Sequence, residues 1–254
     1  MREAVITVKD MVKKFGDFVA NDNLNFEVYK GEIFGFLGAN GAGKTTAIRI
    51  LCGLSTPTSG EMKVAGYDIY RETEKIKRNI GYMSQKFSLY EDLTINENIR
   101  FYGGIYGIKP EERKRRSKLM LDRLELTPYA DRKIGDLPLG WKQKLAFSIA
   151  ILHEPDIVFL DEPTGGVDPV TRRQFWNLIY EAVERGITVF VTTHYMDEAE
   201  YCNRVSIMDE GKIVVLDTPD ALKKQFNAAN MDEVFVKIAR TSPPTPLPNG
   251  EGRK

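Results

Sequence analysis

Apolar and polar residues alternate with a period of two near the start of the chain. Ala4 to Val8 reads as a short strand, and Leu24, Phe26 and Val28 share one face of another. The pattern predicts β-structure through residue 35. An apolar run, Ile33 to Leu37, then meets a glycine-rich turn, and Ala47 to Leu51 takes up a helical pattern behind it. Pro57-Thr58-Ser59-Gly60 predicts a further turn. Thr94, with Glu97 three residues on, forms a capping box that opens an amphipathic helix. From there to about Leu152 the pattern is helical and polar-rich, with breaks near Gly107–Pro110, Thr127-Pro128 and Gly135–Pro138. After Pro155 short apolar runs return at Ile157–Leu160 and Val189–Thr192, of the kind that buried parallel strands show. Val205–Leu216 predicts a hairpin turning at Asp209-Glu210-Gly211-Lys212. The order predicts an α/β fold with a mostly helical segment inserted into its core.

Composition narrows this little. The 254 residues suit one large domain or two small ones, and 42% hydrophobic content suffices for a core. With 36 basic against 36 acidic residues, no global field argues for nucleic acid as a partner. The basic run Lys109–Lys118 is interrupted by glutamates and reads as the solvated face of a helix. Cys52 and Cys202 lie in apolar helical patterns and suggest a reduced, cytosolic protein. No window approaches ~18 consecutive apolar residues, and the first residues lack a signal peptide's apolar core. A membrane part, if the protein serves a membrane, is therefore expected from another chain. The Pro- and Gly-rich tail, Thr241–Lys254, has no apolar period and is expected to be disordered.

The glycine-rich turn carries the first chemistry. Gly38 to Thr46 reads Gly-Ala-Asn-Gly-Ala-Gly-Lys-Thr-Thr, so Gly38, Gly43, Lys44 and Thr45 have P-loop spacing, with Asn40, Gly41 and Ala42 inside the loop. A strand-like run before it and a helical pattern behind it supply the context that the motif needs. Glycines let backbone N–H groups turn onto phosphate oxygens, and the helix N-terminus adds a favourable dipole. In such a loop Lys44 reaches the β- and γ-phosphates, while the Thr45 hydroxyl ligates Mg²⁺. A glycine-rich turn that binds nothing is the alternative, and the Lys-Thr pair in this context weighs against it. The strand Ile157–Leu160 ends on Asp161-Glu162, where Asp161 can hold Mg²⁺ through water and Glu162 can polarise an attacking water. An acidic pair before Pro163 also reads as a helix N-cap.

Taken together, the order Gly38–Thr45, Gln85, a helix start near Gly140, Asp161-Glu162, Asp168 and His194 resembles the ATP-binding subunit of an ABC transporter. The resemblance covers residues 3 to about 226. It implies a P-loop NTPase core of the ABC ATPase type, about 1–86 and 155–226, with an N-terminal antiparallel β-subdomain. An inserted α-helical subdomain would span about 87–154, all within one domain of 1–240. The wording at 56–66, 160–169 and 193–205 is most similar to subunits serving ABC-2-type export permeases. The resemblance further implies ATP and Mg²⁺ as ligands, a second ATP-binding subunit and a separate transmembrane permease as partners. The location it implies is the cytoplasmic side of the cell membrane.

Family roles carry over where residues match. Phe15 stands where an aromatic stacks on adenine, although a lone Phe in a strand is also ordinary core. Gln85 resembles the Q-loop glutamine, which touches the metal and the attacking water, and His194 resembles the switch histidine at the γ-phosphate. Asp168 matches the D-loop aspartate that reaches across a dimer, and it can equally cap the helix Val170–Glu184. His153 reads as a packing or surface residue. Gln85–Tyr90 resembles part of the groove that receives the permease, with ordinary core packing as the alternative.

One motif departs from the family. Its signature, Leu-Ser-Gly-Gly-Gln, completes the opposite subunit's ATP site, yet here Leu137-Pro138-Leu139-Gly140-Trp141 stands in its place. Pro138 lacks both the hydroxyl and an N–H donor, and Gly140 with the helix dipole behind it survives. Losing a hydroxyl bonded to a phosphate costs roughly 1.5–3 kcal/mol, or about tenfold to a hundredfold. Two readings follow: a degenerate half paired with an intact subunit, or an active homodimer of a subgroup that closes its sites with Pro-Leu-Gly. The homodimer is favoured. The D-loop also differs, with Gly165-Gly166-Val167-Asp168 where Ser-Gly-Leu-Asp is usual. A soluble ABC ATPase without a permease and a non-hydrolysing regulatory binder are the remaining alternatives. The single P-loop counts against the former and Glu162 against the latter.

Overall fold

Strands β1 (Ala4–Phe15) and β2 (Phe18–Tyr29) pair antiparallel across the Gly16-Asp17 turn. β1 runs well past Val8, where the alternation in the sequence stops. A register shift between Val8 and Met11, with Asp10 at φ 52°, absorbs the broken alternation and lets the strand continue. The computed structural model describes residues 2–85 and 89–241. β3 (Ile33–Gly38) leads through the glycine-rich loop into α1 (Lys44–Leu51). β4 (Ser59–Val64) and β5 (Tyr67–Asp68) complete a first sheet of order β2-β1-β4-β5, so the turn expected at Pro57–Gly60 ends two residues earlier, where β4 begins.

The polar stretch that follows hides two elements which periodicity did not reveal, α2 (Thr73–Asn79) and β6 (Ile80–Met83). Next come α3 (Ile95–Ile105), α4 (Pro110–Arg123) and α5 (Leu139–Ala150). Thr94 and Glu97 close the capping box in both directions, as the sequence requires. The two remaining sequence breaks are short 3₁₀ turns at Thr127–Tyr129 and Ile134–Asp136. The chain then returns through β7 (Ile157–Asp161), α6 (Pro169–Glu184), β8 (Thr188–Thr193), β9 (Arg204–Asp209) and β10 (Lys212–Asp217). Two helices, α7 (Pro219–Gln225) and α8 (Met231–Thr241), follow. The β9–β10 hairpin turns at Glu210 and Gly211, both at positive φ, as its Glu-Gly pair suggested. The sequence reading of the tail beyond Thr241 falls outside the described residues.

The second sheet has the order β10-β9-β3-β8-β7-β6, with every neighbouring pair parallel except β10 on β9. Its central strands are buried on both faces, which is why they read as unbroken apolar runs. Period-two alternation divides their side chains between two cores. Ile33, Leu37, Val158, Leu160, Val189 and Val191 face α5 and α6. Phe34, Phe36, Phe159 and Phe190 face α1 and the first sheet, where these rings and Phe26 pack with centroids 5.2–6.2 Å apart. The helical insert α3–α5 leaves from β6 and returns to β7, its neighbour in the sheet.

His153 sits where that insert rejoins the core. Its ring stacks on Tyr106, centroids 3.8 Å apart, and Nε2 lies 3.1 Å from the carbonyl oxygen of Ile80. Burial holds the imidazole well below its usual range, at about 4, with Arg116 adding to the effect against the Ile80 hydrogen bond. A histidine kept neutral in the fold is protonated in the unfolded chain first, so stability falls as pH drops from about 6.5 to about 4. The loss at the low end is at most about 3 kcal/mol. His153→Phe keeps the stack and removes the titration. Urea unfolding at stepped pH is expected to show a shallower acid slope for the variant, and an unchanged slope would refute the assignment.

Candidate functional site

The register of four parallel strands places the site. Met83 pairs with Leu160, Asp161 with Thr192, and Leu37 with Thr193. One or two residues beyond those pairs, at the carboxyl ends of β6, β7, β8 and β3, come Gln85, Glu162, His194 and Gly38. Residues far apart in sequence therefore emerge side by side on one edge, the usual position for a ligand site in a parallel sheet.

The loop between β3 and α1 wraps this edge. Gly43 caps α1 at φ +98°, and an added Cβ would lie 2.3 Å from the Ala20 carbonyl oxygen, so only glycine fits. Asn21, fully buried on β2, donates to the Gly43 carbonyl at 3.1 Å and fixes the loop against the first sheet. The first intrahelical bond runs from Ala47 to Gly43, which leaves the amides of Lys44, Thr45 and Thr46 without a helical acceptor. This is the arrangement an anion needs. Asn40 and Gly41 are exposed at the tip of the loop, while Ala42 is buried beneath it. Lys44 is 4% exposed and donates to the carbonyls of Gly38 at 2.8 Å and Ala39 at 3.0 Å. Burial lowers its pKa, and the carboxylates of Glu162 and Asp161 work against that lowering.

Three side chains converge on Glu162. Gln85 Nε2 donates to its Oε2 at 2.9 Å, Lys44 Nζ stands 3.6 Å from Oε1, and His194 Nδ1 is 3.2 Å from Oε2 without hydrogen-bond geometry. The Glu162 amide donates to the Thr192 hydroxyl at 3.0 Å, at a backbone φ of +49°. A non-glycine residue held there carries strain of order 1–3 kcal/mol, a feature that clusters at functional sites. Asp161, one residue earlier, points the other way. Its Oδ1 accepts from Thr192 Oγ1 at 2.7 Å and Thr45 Oγ1 at 3.2 Å, and burial raises its pKa against those two bonds. A carboxylate oxygen beside a hydroxyl is a hard donor set suited to Mg²⁺, which commonly takes one or two protein oxygens and completes its shell with phosphate and water. Among the described residues no cluster of three or more His, Cys, Asp or Glu could hold a metal without such help. Sequence reasoning missed Thr192, whose signal is a hydroxyl in an otherwise apolar strand, and Asn21, which gives none.

A family profile described as ABC transporter matches residues 21–165. The chain is 37% identical over 246 residues to the linearmycin resistance ATP-binding protein LnrL of Bacillus subtilis, covering 93% of this chain and 79% of that one. The chain belongs to the ABC transporter family. It carries that family's ATP-binding cassette. The probable multidrug ABC transporter ATP-binding protein YbhF of Escherichia coli is 48% identical over 243 residues, which cover 93% of this chain but 42% of that relative. The chain thus spans less than half of YbhF. A solved ATP-binding subunit of an ABC transporter superposes with a TM-score of 0.84 at 29% identity, covering 92% of this chain and 99% of that one. A dimeric cassette in a post-hydrolysis state, bound to ADP and Pi, gives a TM-score of 0.76 at 29% identity, over 84% of this chain and 98% of that one.

Away from the Glu162 cluster, the family's other positions fall as follows. Phe15 ends β1 and is 55% exposed, with Lys13 Nζ 4.7 Å above its ring, so it is not a core residue. Asp168 caps α6, accepting from the amides of Val170 and Thr171 at 3.0 Å and from the Thr171 hydroxyl at 2.6 Å. Those bonds from Thr171 pull its pKa down. Pro138 is the N-cap of α5 and offers no side-chain bond. The amides of Leu139 and Gly140 still precede the helix's first intrahelical bonds and remain as donors. A Cβ on Gly140 would come within 2.4 Å of Thr171 Cγ2, so this glycine keeps α5 and α6 in close contact. Behind it, Gln143 donates to the Gly165 carbonyl at 3.0 Å, tying α5 to the loop that precedes α6 in the same chain.

Proposed function

We propose that this chain binds ATP with Mg²⁺ and hydrolyses it as one of a pair of such subunits, driving a separate ABC-2-type permease that exports its cargo. The convergence of Gln85, Lys44 and His194 on Glu162 beside the P-loop carries the reading. A chain that only bound nucleotide would have no use for a carboxylate at that point. Glu162 would accept a proton from the attacking water while Gln85 orients it, and Lys44 would move from the loop carbonyls to the phosphates. His194 would hold the γ-phosphate as the new bond forms. Most of the catalysis is positioning and charge neutralisation. Thr45 and Asp161 are the residues that would hold Mg²⁺, whose contribution is to neutralise phosphate charge.

Three family positions complete the proposal. Phe15, exposed at the end of β1, would stack on adenine. Gly140 and Asp168 would face the site of the opposite subunit, Gly140 through the positive end of α5. Among the described residues no helix is long and apolar enough to cross a membrane, so the permease would be supplied from elsewhere. Export is supported by relatives whose names speak of multidrug transport, linearmycin resistance and Nod factor export. The proposed place of work is the cytoplasmic side of the membrane. Tyr90, Phe101 and Tyr102 form an exposed to half-buried aromatic group, with rings 4.9 and 5.2 Å apart across Phe101, beside the segment proposed for permease docking. Lys86–Ser88 of that segment lie outside the described residues.

A homodimer would close both sites on Pro138-Leu139-Gly140. The purified chain is then expected to turn over ATP alone, and Pro138→Ser to raise the rate by up to about tenfold to a hundredfold by restoring a hydroxyl. If turnover were absent from the parent chain and appeared only in the Pro138→Ser variant, the active homodimer would be refuted and a heterodimer required.

A further inference from the structure

A second buried polar centre lies behind the Glu162 cluster. Glu198 is 0% exposed, on the 3₁₀ turn Met196–Tyr201 that follows His194. Its Oε1 accepts from the hydroxyl of Thr164, itself 1% exposed, at 2.5 Å. Thr164 lies two residues after Glu162. Arg172, on the first turn of α6, places Nε 3.6 Å from the same Oε1 and Nη1 3.4 Å from Asp197. The Arg172 amide also donates to the Asp168 carbonyl at 2.9 Å. Its guanidinium lies 4.1 Å from the centre of the Tyr195 ring, which in turn packs 4.1 Å from the His194 imidazole.

Three segments therefore meet at one carboxylate: the loop after Glu162, the helix capped by Asp168 and the turn after His194. Burying a charged carboxylate is costly even when it is paired, and an apolar residue of similar volume commonly serves stability as well or better. Glu198 Oε2 and Arg172 Nε have no hydrogen-bond partner, so this centre is not tuned for stability alone. What it does fix is relative position. With Thr164 held, the tight turn at Glu162 has little freedom, and with Arg172 held against Tyr195 the His194 ring is braced from behind.

We propose that Glu198 is a positioning residue for hydrolysis, joining the Glu162 loop, the D-loop helix and the His194 turn into one unit that moves together. The inference rests on the hydrolytic reading of Glu162. Glu198 is fully buried with Thr164 and Arg172 as its side-chain partners, so its removal should affect the chemical step rather than binding.

Thr164→Val removes the hydroxyl at nearly constant volume, Thr164→Ser keeps it, and Glu198→Gln keeps an acceptor but loses the ion pair. Thr164→Val and Glu198→Gln are expected to lower kcat at least about tenfold with KM for ATP changed less than about twofold, while Thr164→Ser keeps kcat within about threefold. The double variant Thr164→Val/Glu198→Gln should lose little more than the worse single one, because the Thr164 hydrogen bond and the Arg172 ion pair meet at one carboxylate and breaking either uncouples the same unit. Parent-like kcat in folded Thr164→Val and Glu198→Gln would overturn the proposal, as would an equal loss in Thr164→Ser or a rise in KM alone. Turnover surviving in Glu162→Gln would instead strike the assignment of Glu162, which keeps the two failures apart.

Discussion

A Glu162→Gln variant is expected to bind ATP as the parent chain does and to turn it over about 10²–10⁴-fold more slowly. Gln has the same length and its amide oxygen can still accept from Gln85, but it cannot take a proton from water. The backbone strain at φ +49° would persist, since it is set by the bonds to Thr192 and not by the side-chain charge. With hydrolysis blocked and binding intact, the ATP-bound pair should accumulate and appear as a dimer in gel filtration with ATP but not with ADP. Single-turnover measurement of phosphate release checks the rate. Turnover within about tenfold of the parent would remove Glu162 from its proposed role.

Lys44→Met should separate stability from function in the other large effect. The ammonium is 4% exposed and has a pKa lowered by burial, so its charge is held in the fold at a cost. Its compensation is two loop carbonyls and the Glu162 carboxylate at 3.6 Å. Met fills the same channel without a charge to desolvate, although it leaves Glu162 with one counter-charge fewer. The melting temperature without nucleotide is therefore expected to change little, by no more than about 1–2 kcal/mol in stability. Loss of a charge-assisted bond to phosphate should at the same time cost at least about 1.5–3 kcal/mol in ATP binding, tenfold or more in Kd, with turnover falling further. Calorimetry with and without ATP and Mg²⁺ reads both. A variant that melted far below the parent would show that Lys44 holds the loop together rather than the ligand.

Much of this architecture was legible because local chemistry and fold agree. Gly43 is fixed by a positive φ and a carbonyl 2.3 Å from where its Cβ would be, and such demands leave a mark in sequence. The Thr94–Glu97 capping box and the Glu210-Gly211 turn were readable for the same reason, since each is satisfied within a few residues. β6 and α2 were not, because their burial depends on strands and helices far along the chain. Phe15 left two options open, and only its exposure in the hairpin with β2 removed the core alternative. At Pro138 the substitution was plain in the sequence, but the amides that survive beside it were visible only once α5 had a defined start.

The sequence by itself determined the phosphate loop, the acidic pair after a buried strand and the alternation of strands and helices. Each is a pattern of neighbours, set by backbone sterics, capping and hydrophobic period. Only the tertiary structure decided that Gln85, Glu162, His194 and Gly38 share one edge, because strand register is a long-range pairing that no local window encodes. The same holds for Thr192 under Asp161 and for Glu198 behind His194. Their roles exist only where segments distant in sequence bring polar groups into a buried space that must satisfy them.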